Sequence, residues 1–250
     1  MGGEKMKNTV LVEGHRGYSA KYPENTLISF AAAMDLGVDG VELDIRWSAD
    51  KVLMVIHDPS LYRTCNVDVN INTLTLEQIK ELSAHYPKKF GDQFANQNVT
   101  VPTLEEFLQL RAEKRPDLLI GVEFKLTSPE YVDAVIEMLN RYEALPYCTF
   151  FTYDAGVVAY VKTKYQLRTM GFPDFQMRGY TADTYSHYDE LCISVAQMRS
   201  EIFPIYQEKG WPLQVYTADT EADARFCIEN GAKLVMANDP TALLKLQGRL

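Results

Sequence analysis

Cysteine is scarce and scattered. The chain has four cysteines in 250 residues, Cys65, Cys148, Cys192 and Cys227, and no CxxC spacing that would hold zinc or form a redox pair. Three of them stand in apolar stretches ("YCTFF", "LCISV", "FCIEN"), so buried, reduced thiols are expected. No apolar run approaches the roughly 20 residues of a membrane span, and the opening "MGGEKMKNTV" has no apolar core of a signal peptide. These absences predict a reducing, cytoplasmic setting and no stable membrane insertion. There is no basic block, and the formal net charge is -9, which argues against nucleic acid and against a polybasic membrane patch. GxSxG, P-loop and GxGxxG motifs are missing, which removes serine-hydrolase and nucleotide-binding readings. No His-rich zinc spacing, repeat or low-complexity segment occurs.

What is present is alternation. Apolar, β-rich runs lie at about 10–14, 40–46, 119–125, 148–152, 167–171, 190–194, 213–217 and 233–237, and helical patterns separate most of them. Thr103 with Glu106 reads as a capping box, and Gly37, Gly210 and Gly231 fall where helices should stop. Eight strands with crossover helices predict an α/β chain folded as a (β/α)8 TIM barrel, a single catalytic domain over residues 1–250. Two segments interrupt the pattern. "SADK" between "GVELDIRW" and "VLMVIH" is too short for a parallel crossover and predicts an antiparallel hairpin after the second strand. Residues 59–101, with a helix opened by Thr75 and Gln78, predict a small cap over the barrel mouth.

Side chains alternate along a strand. In "GVELDIR", Val41, Leu43 and Ile45 must meet the helices, so Glu42 and Asp44 face the barrel interior. In "IGVEFK", Glu123 and Lys125 do the same. Three carboxylates in a confined interior repel one another and desolvate at great cost unless a cation compensates. Buried ion pairs with Lys125 and Arg16 are one solution. An all-oxygen site for one hard divalent cation, Mg²⁺ or Ca²⁺, is the other. A four-residue hairpin turn that pairs Trp47 with Val52 would set His57 opposite Glu42, beside that cluster. His15 ends another strand, in "GHRG". His85 and His187 lie in polar stretches and read as surface residues. Two histidines, an arginine and a lysine beside an acidic cluster suit attack on a phosphate ester, with Arg16 as a bidentate phosphate ligand and Gly17 allowing close backbone approach to an anion.

The segment "GHRGYSAKYPENTLISFAAAMDLGVDGVELDIRWSADKVLMVIHDPSLYRT" resembles the N-terminal signature of the glycerophosphodiester phosphodiesterases, with HRG, PENT, ExD, HD and RT in order. "PTLEEFL", "GVEFK" and the closing "GWPLQVYTADTEADARFCIENGAKLVMANDP" resemble later parts of that family. The resemblance implies hydrolysis of glycerophosphodiesters to glycerol 3-phosphate and an alcohol through a cyclic phosphate. It implies His15 and His57 as the acid–base pair, Glu42, Asp44 and Glu123 as ligands of one divalent cation, and Arg16 and Lys125 at the phosphate. The partner is then a small-molecule glycerophosphodiester. Three stretches depart from the family: "YTAD" replaces Trp-Thr-Val-Asn, "ANDP" replaces Thr-Asp-x-Pro, and "CNVDVNINTLT" replaces a glycine-rich segment. Glu13 shares the inward face with His15, where it would pair with Lys125 or reach the metal. A lipid phosphodiesterase of the phospholipase C or sphingomyelinase D kind needs an apolar rim that "KKFGDQFANQNV" does not offer. A non-catalytic phosphodiester-binding protein would be expected to lack one of the two histidines or three carboxylates, and all five are present.

Overall fold

Parallel strands need crossovers, and the sequence supplies them in turn. The computed structural model describes residues 10–250; the opening residues 1–9, considered above for a signal core, lie outside the described residues. The barrel strands are β1 (Leu11–His15), β2 (Gly40–Trp47), β4 (Leu119–Phe124), β5 (Cys148–Phe151), β6 (Met170–Gly171), β7 (Glu190–Ser194), β8 (Leu213–Tyr216) and β9 (Leu234–Ala237), while β3 (Leu53–Val55) lies off the ring, paired with β2 and bridged through Met54 to Thr103. The barrel order is β5-β4-β2-β1-β9-β8-β7-β6. One parallel bridge, Phe150 with Thr169, and a Phe150 N–H to Arg168 carbonyl bond of 3.0 Å close the ring between β5 and β6.

The helices outside this ring include α1 (Leu27–Leu36), α5 (Leu104–Lys114), α6 (Pro129–Arg141), α7 (Ala155–Tyr165) and α10 (Glu221–Glu229). Thr103 and Glu106 form the anticipated capping box at α5, and Gly37 ends α1 with φ 88°. Outward strand residues Val12, Val41, Leu43, Ile45 and Val122 are fully buried against the helices, each worth roughly 1.5–3 kcal/mol relative to exposure. Phe30 of α1 meets Phe107 of α5 edge-on at 4.8 Å, and Phe124 stacks on Phe150 at 5.6 Å.

Three local features depart from expectation. "AQMRSEIFPIYQEKG" is not one helix but two, α8 (Val195–Met198) and α9 (Phe203–Glu208). Pro204 lacks an N–H, so it restarts a helix in its first turn instead of continuing one. The β6–β7 link carries only 3₁₀ turns, and α11 (Thr241–Leu246) follows β9 unannounced.

The hairpin register is also different: Trp47 pairs with Leu53, not Val52, and Ile45 with Val55. Ser48 and Val52 close a three-residue loop, with Ser48 N–H donating to the Val52 carbonyl at 3.0 Å and Lys51 left-handed at φ 60°. That is the common three-residue hairpin geometry. Glu42 and His57 are therefore not ladder partners.

Beyond β3, α2 (Tyr62–Cys65), α3 (Leu76–Lys80) and α4 (Pro87–Phe90) lie in the long excursion. Met54, Ile56, Leu61, Ile71, Ile79, Phe94 and Val99 form a separate apolar cluster there, tying the excursion to the hairpin. All four cysteines are buried and free. Among the described residues, no helix is long and apolar enough to cross a membrane.

Candidate active site

Parallel pairing sets the inward residues of neighbouring strands in layers. His15 of β1 pairs with Glu42 of β2, and Asp44 pairs with Glu123 of β4. Glu42, Asp44 and Glu123 each offer an oxygen within 4.8 Å of the others, and all three are buried. Lys125, just past β4, sits 2.9 Å from Asp44 and 2.5 Å from Glu123. These carboxylates, His15, Arg16, His57 and Lys125 meet at the carboxyl ends of the strands, the end where barrel enzymes build their sites. They bound one side of a cavity of about 210 Å³ that Glu42 and Glu123 line, while the opposite side is Phe151, Tyr153, Phe172 and Tyr216. Tyr153 stacks on Phe172 at 4.0 Å, and among the described residues that line this aromatic side none carries a permanent positive charge.

The HRG turn is held by crowding. Arg16 is left-handed at φ 57° and Gly17 at φ 83°. A Cβ on Gly17 would lie 2.5 Å from Ser29 Oγ and 2.7 Å from the Ser29 carbonyl carbon, so the glycine lets the turn rest against α1. This packing and the positive φ are what require glycine there. The turn points the Arg16 N–H at Glu42 Oε2, 3.1 Å away, and brings the guanidinium to Asp44 at 3.3 Å and Glu24 at 2.8 Å.

Both histidines are gripped at Nδ1. Asn238 donates its side-chain N–H to Asp219 at 2.7 Å, so its Oδ1 faces His15 Nδ1 at 2.8 Å and accepts the proton there. His15 Nε2 is left free, 3.8 Å from Glu42. Thus "YTAD" and "ANDP", where the chain departs from the pattern it otherwise resembles, still cooperate through Asp219 and Asn238. His57 escapes the ladder because β3 ends at Val55. Its carbonyl accepts from Arg46 Nε at 2.8 Å, its Nδ1 lies 2.7 Å from Asp58, and its ring reaches the cavity.

Charge is unevenly compensated. Burial opposes ionisation of Asp44, but Lys125 and Arg16 outweigh it and hold that carboxyl below the usual range. Burial and the neighbouring Asp44 push Glu42 well up and Glu123 to about 7. Burial and Arg16 lower His15 to about 4, and burial also lowers His57, with Asp44 opposing. The ion pairs with Lys125 and Arg16 exist, yet they do not suffice. Glu24, Asp44, Asp58 and Glu123 have Arg16, Arg63 or Lys125 at salt-bridge distance, with Arg46 and Lys89 acting on the same carboxylates from farther off, but Glu42 has no Lys or Arg side chain at that distance among the described residues. A hard dication of all-oxygen preference fits that deficit.

All seven residues picked from the sequence line or adjoin this cavity. Glu24, Asn25, Asp58, Arg63 and Asn238 lie within the stretches that carry the resemblance and join the site as partners of these seven, Arg63 through Asp58. Asn25 Nδ2 donates to Asp44 at 2.7 Å. Nothing local in the sequence joins such distant positions. Glu13 neither meets Lys125 nor reaches the carboxylate triad: it lies one layer deeper, against Gly40 and Gly121.

A model of the glycerophosphoryl diester phosphodiesterase family matches residues 15–242. A glycerophosphodiester phosphodiesterase of Caldanaerobacter subterraneus subsp. tengcongensis is 30% identical over 245 residues, covering 94% of this chain and 97% of that protein. The solved glycerophosphodiester phosphodiesterase of Agrobacterium tumefaciens superposes with a TM-score of 0.79 at 24% identity, over 94% of this chain and 99% of that one. An Oleispira antarctica phosphodiesterase, solved with the product sn-glycerol-3-phosphate, gives a TM-score of 0.80 at 23% identity, over 94% and 95% of the two chains. Both structures share the barrel.

Proposed function

Because the chain belongs to the glycerophosphoryl diester phosphodiesterase family and is a glycerophosphodiester phosphodiesterase, we propose that His15 and His57 carry its acid–base chemistry, with Arg16 and Lys125 at the phosphate. The observation that carries this reading is the pair of histidines, each held at Nδ1, at one cavity with Arg16, Lys125 and the buried carboxylates. Nδ1 restraint leaves Nε2 as the atom that gives or takes a proton. Arg16 and Lys125 offset charge on the non-bridging oxygens, and the fixed Arg16 fork orients the phosphate.

One histidine takes the proton of the neighbouring glycerol hydroxyl as its oxygen bonds to phosphorus, while the other protonates the departing alcohol. Water then opens the cyclic phosphate with the roles reversed, leaving glycerol 3-phosphate. The tethered nucleophile loses little orientational freedom. The aromatic wall faces the carbon-bearing parts of the substrate and limits water. Glu42, Asp44 and Glu123 would hold one divalent cation, Mg²⁺ or Ca²⁺, which when bound supplies positive charge against the phosphoryl oxygens.

Release of glycerol 3-phosphate from glycerophosphocholine and glycerophosphoethanolamine, with and without EDTA, tests this. Activity should vanish in EDTA and return with excess Mg²⁺ or Ca²⁺. His15→Ala and His57→Ala should each fold and lose roughly 10²–10⁴-fold in kcat. No product with either ion present would overturn the substrate assignment. Full activity in EDTA would overturn the cation, and a near-normal rate in a histidine variant would remove that histidine.

A further inference from the structure

A continuous run of charged side chains joins Arg16 to His57 without lining the cavity. Arg16 Nη1 donates to Glu24 Oε1 at 2.8 Å, and Arg63 donates to both Glu24 oxygens, Nη1 at 2.6 Å and Nη2 at 2.9 Å. The third nitrogen, Arg63 Nε, donates to Asp58 Oδ2 at 2.5 Å, and Asp58 Oδ1 meets His57 Nδ1 at 2.7 Å. Tyr86 accepts a further Nη1 bond at 3.0 Å. Neither Arg63, Glu24 nor Asp58 lines the cavity. Arg63 comes from α2 in the long excursion, Glu24 from the loop before α1, and Asp58 from the end of the hairpin.

We infer that Arg63 is a positioning residue: its guanidinium couples the orientation of His57, through Asp58, to that of Arg16, through Glu24. The inference rests on the proposed roles of His57 and Arg16. A planar guanidinium engaged on two edges cannot turn toward one carboxylate without leaving the other. Asp58 accepting from Nδ1–H fixes the tautomer that leaves Nε2 free, whereas an Asn there has one oxygen for two donors, Arg63 Nε and His57 Nδ1. Glu24 is shared by two guanidiniums, so Arg16 is pinned from its far edge while its other edge faces Asp44. The excursion thereby contributes to catalysis without touching substrate.

Arg63→Gln, Arg63→Lys and Asp58→Asn, assayed on glycerophosphocholine beside His57→Ala, test this. Arg63→Gln and Asp58→Asn should each lose roughly 10- to 100-fold in kcat, the range for partners that orient a working histidine. Only Arg63→Gln should also raise KM, because it alone loosens Arg16. The Arg63→Gln/Asp58→Asn double variant should be no slower than the slower single, since both break one route to His57. Arg63→Lys, a single-point donor, should recover only part of the rate. Nitrogen-15 spectra of the imidazoles, with the His57 signal assigned from its loss in His57→Ala, should show mixed tautomers in Asp58→Asn. Wild-type kcat in folded Arg63→Gln and Asp58→Asn, with His57→Ala inactive, would overturn the inference alone. Losses that multiply in the double variant, with an unchanged His57 signal, would also overturn it. An active His57→Ala would instead overturn the reading on which it rests. Should Arg63→Gln fail to fold, Asp58→Asn and its tautomer signal decide the matter.

Discussion

Asp44 and Glu42 stand two residues apart on one strand and live in different electrostatic worlds. Lys125, Arg16 and Asn25 all reach Asp44, whereas Glu42 has the Arg16 backbone N–H and a histidine at 3.8 Å. An added dication therefore changes most for Glu42 and Glu123, whose ionisation burial opposes. Thermal melting should rise with Mg²⁺ or Ca²⁺, by about 2.7 kcal/mol of stability at a hundredfold excess over Kd. Glu42→Gln should be as stable as the parent or more so without the ion, and lose most of the ion-dependent shift. Asp44→Asn should instead lose stability even in EDTA, by roughly 1.5–3 kcal/mol, because Lys125 and Arg16 each lose one of their two carboxylate partners. A Glu42→Gln protein that melts with the parent's full ion-dependent shift would exclude Glu42 from the cation site.

Elements convert these residues into a site, and the HRG turn between β1 and α1 shows how tightly. Gly17→Ala places a methyl group against Ser29 and forces a side chain into φ 83°. Melting temperature should fall in proportion to about 1–3 kcal/mol, and kcat/KM should fall with it as Arg16 moves. A variant with unchanged melting and turnover would show that the turn tolerates bulk. The same elements explain what could be read in advance. Strand alternation has a period of two and no dependence on distant contacts, so the inward aim of Glu42, Asp44, Glu123 and Lys125 followed from the residues alone. The hairpin register depended on whether Lys51 turns left-handed, and no Gly or Asn there announces it. His57 reaches the cavity only because β3 stops at Val55 and Arg46 catches its carbonyl. The links from Glu24 to Arg63 and from Asn238 to His15 join residues 39 and 223 positions apart. No pattern along the chain encodes such pairs.

At the scale of the whole barrel, charge is gathered at both ends of the interior. The far layer holds Glu13, to which its β2 register partner Gly40 and Gly121 of β4 leave room: a Cβ on either would lie 3.2 Å from its carboxylate. Glu190 lies in the same layer, paired with Lys233 and Arg168 at 2.5 Å each and bonded to Gln214. Those cations belong to Glu190, and Glu13 Oε2 has no partner. Burial and Glu190, with the Gly121 N–H pulling the other way, push Glu13 up to about 8 from an ordinary 4.5, and Cys192, the remaining titratable group facing it, is a buried thiol. Across pH 5–8 the folded chain thus holds a proton that the unfolded chain has released, so folding loses stability as pH rises. The slope from this one group is at most about 1.4 kcal/mol per pH unit. Glu13→Gln keeps the shape and the neutral charge, so it should match the parent near pH 5 and become progressively more stable than the parent toward pH 8. Urea unfolding of both proteins at half-unit steps measures that difference directly, free of the other titrations they share. A difference that stays flat with pH would mean Glu13 is ionised in the fold and has found a cation. A widening one would mark the far layer as the part of the barrel that limits stability under alkaline conditions, separately from the layer that does the chemistry.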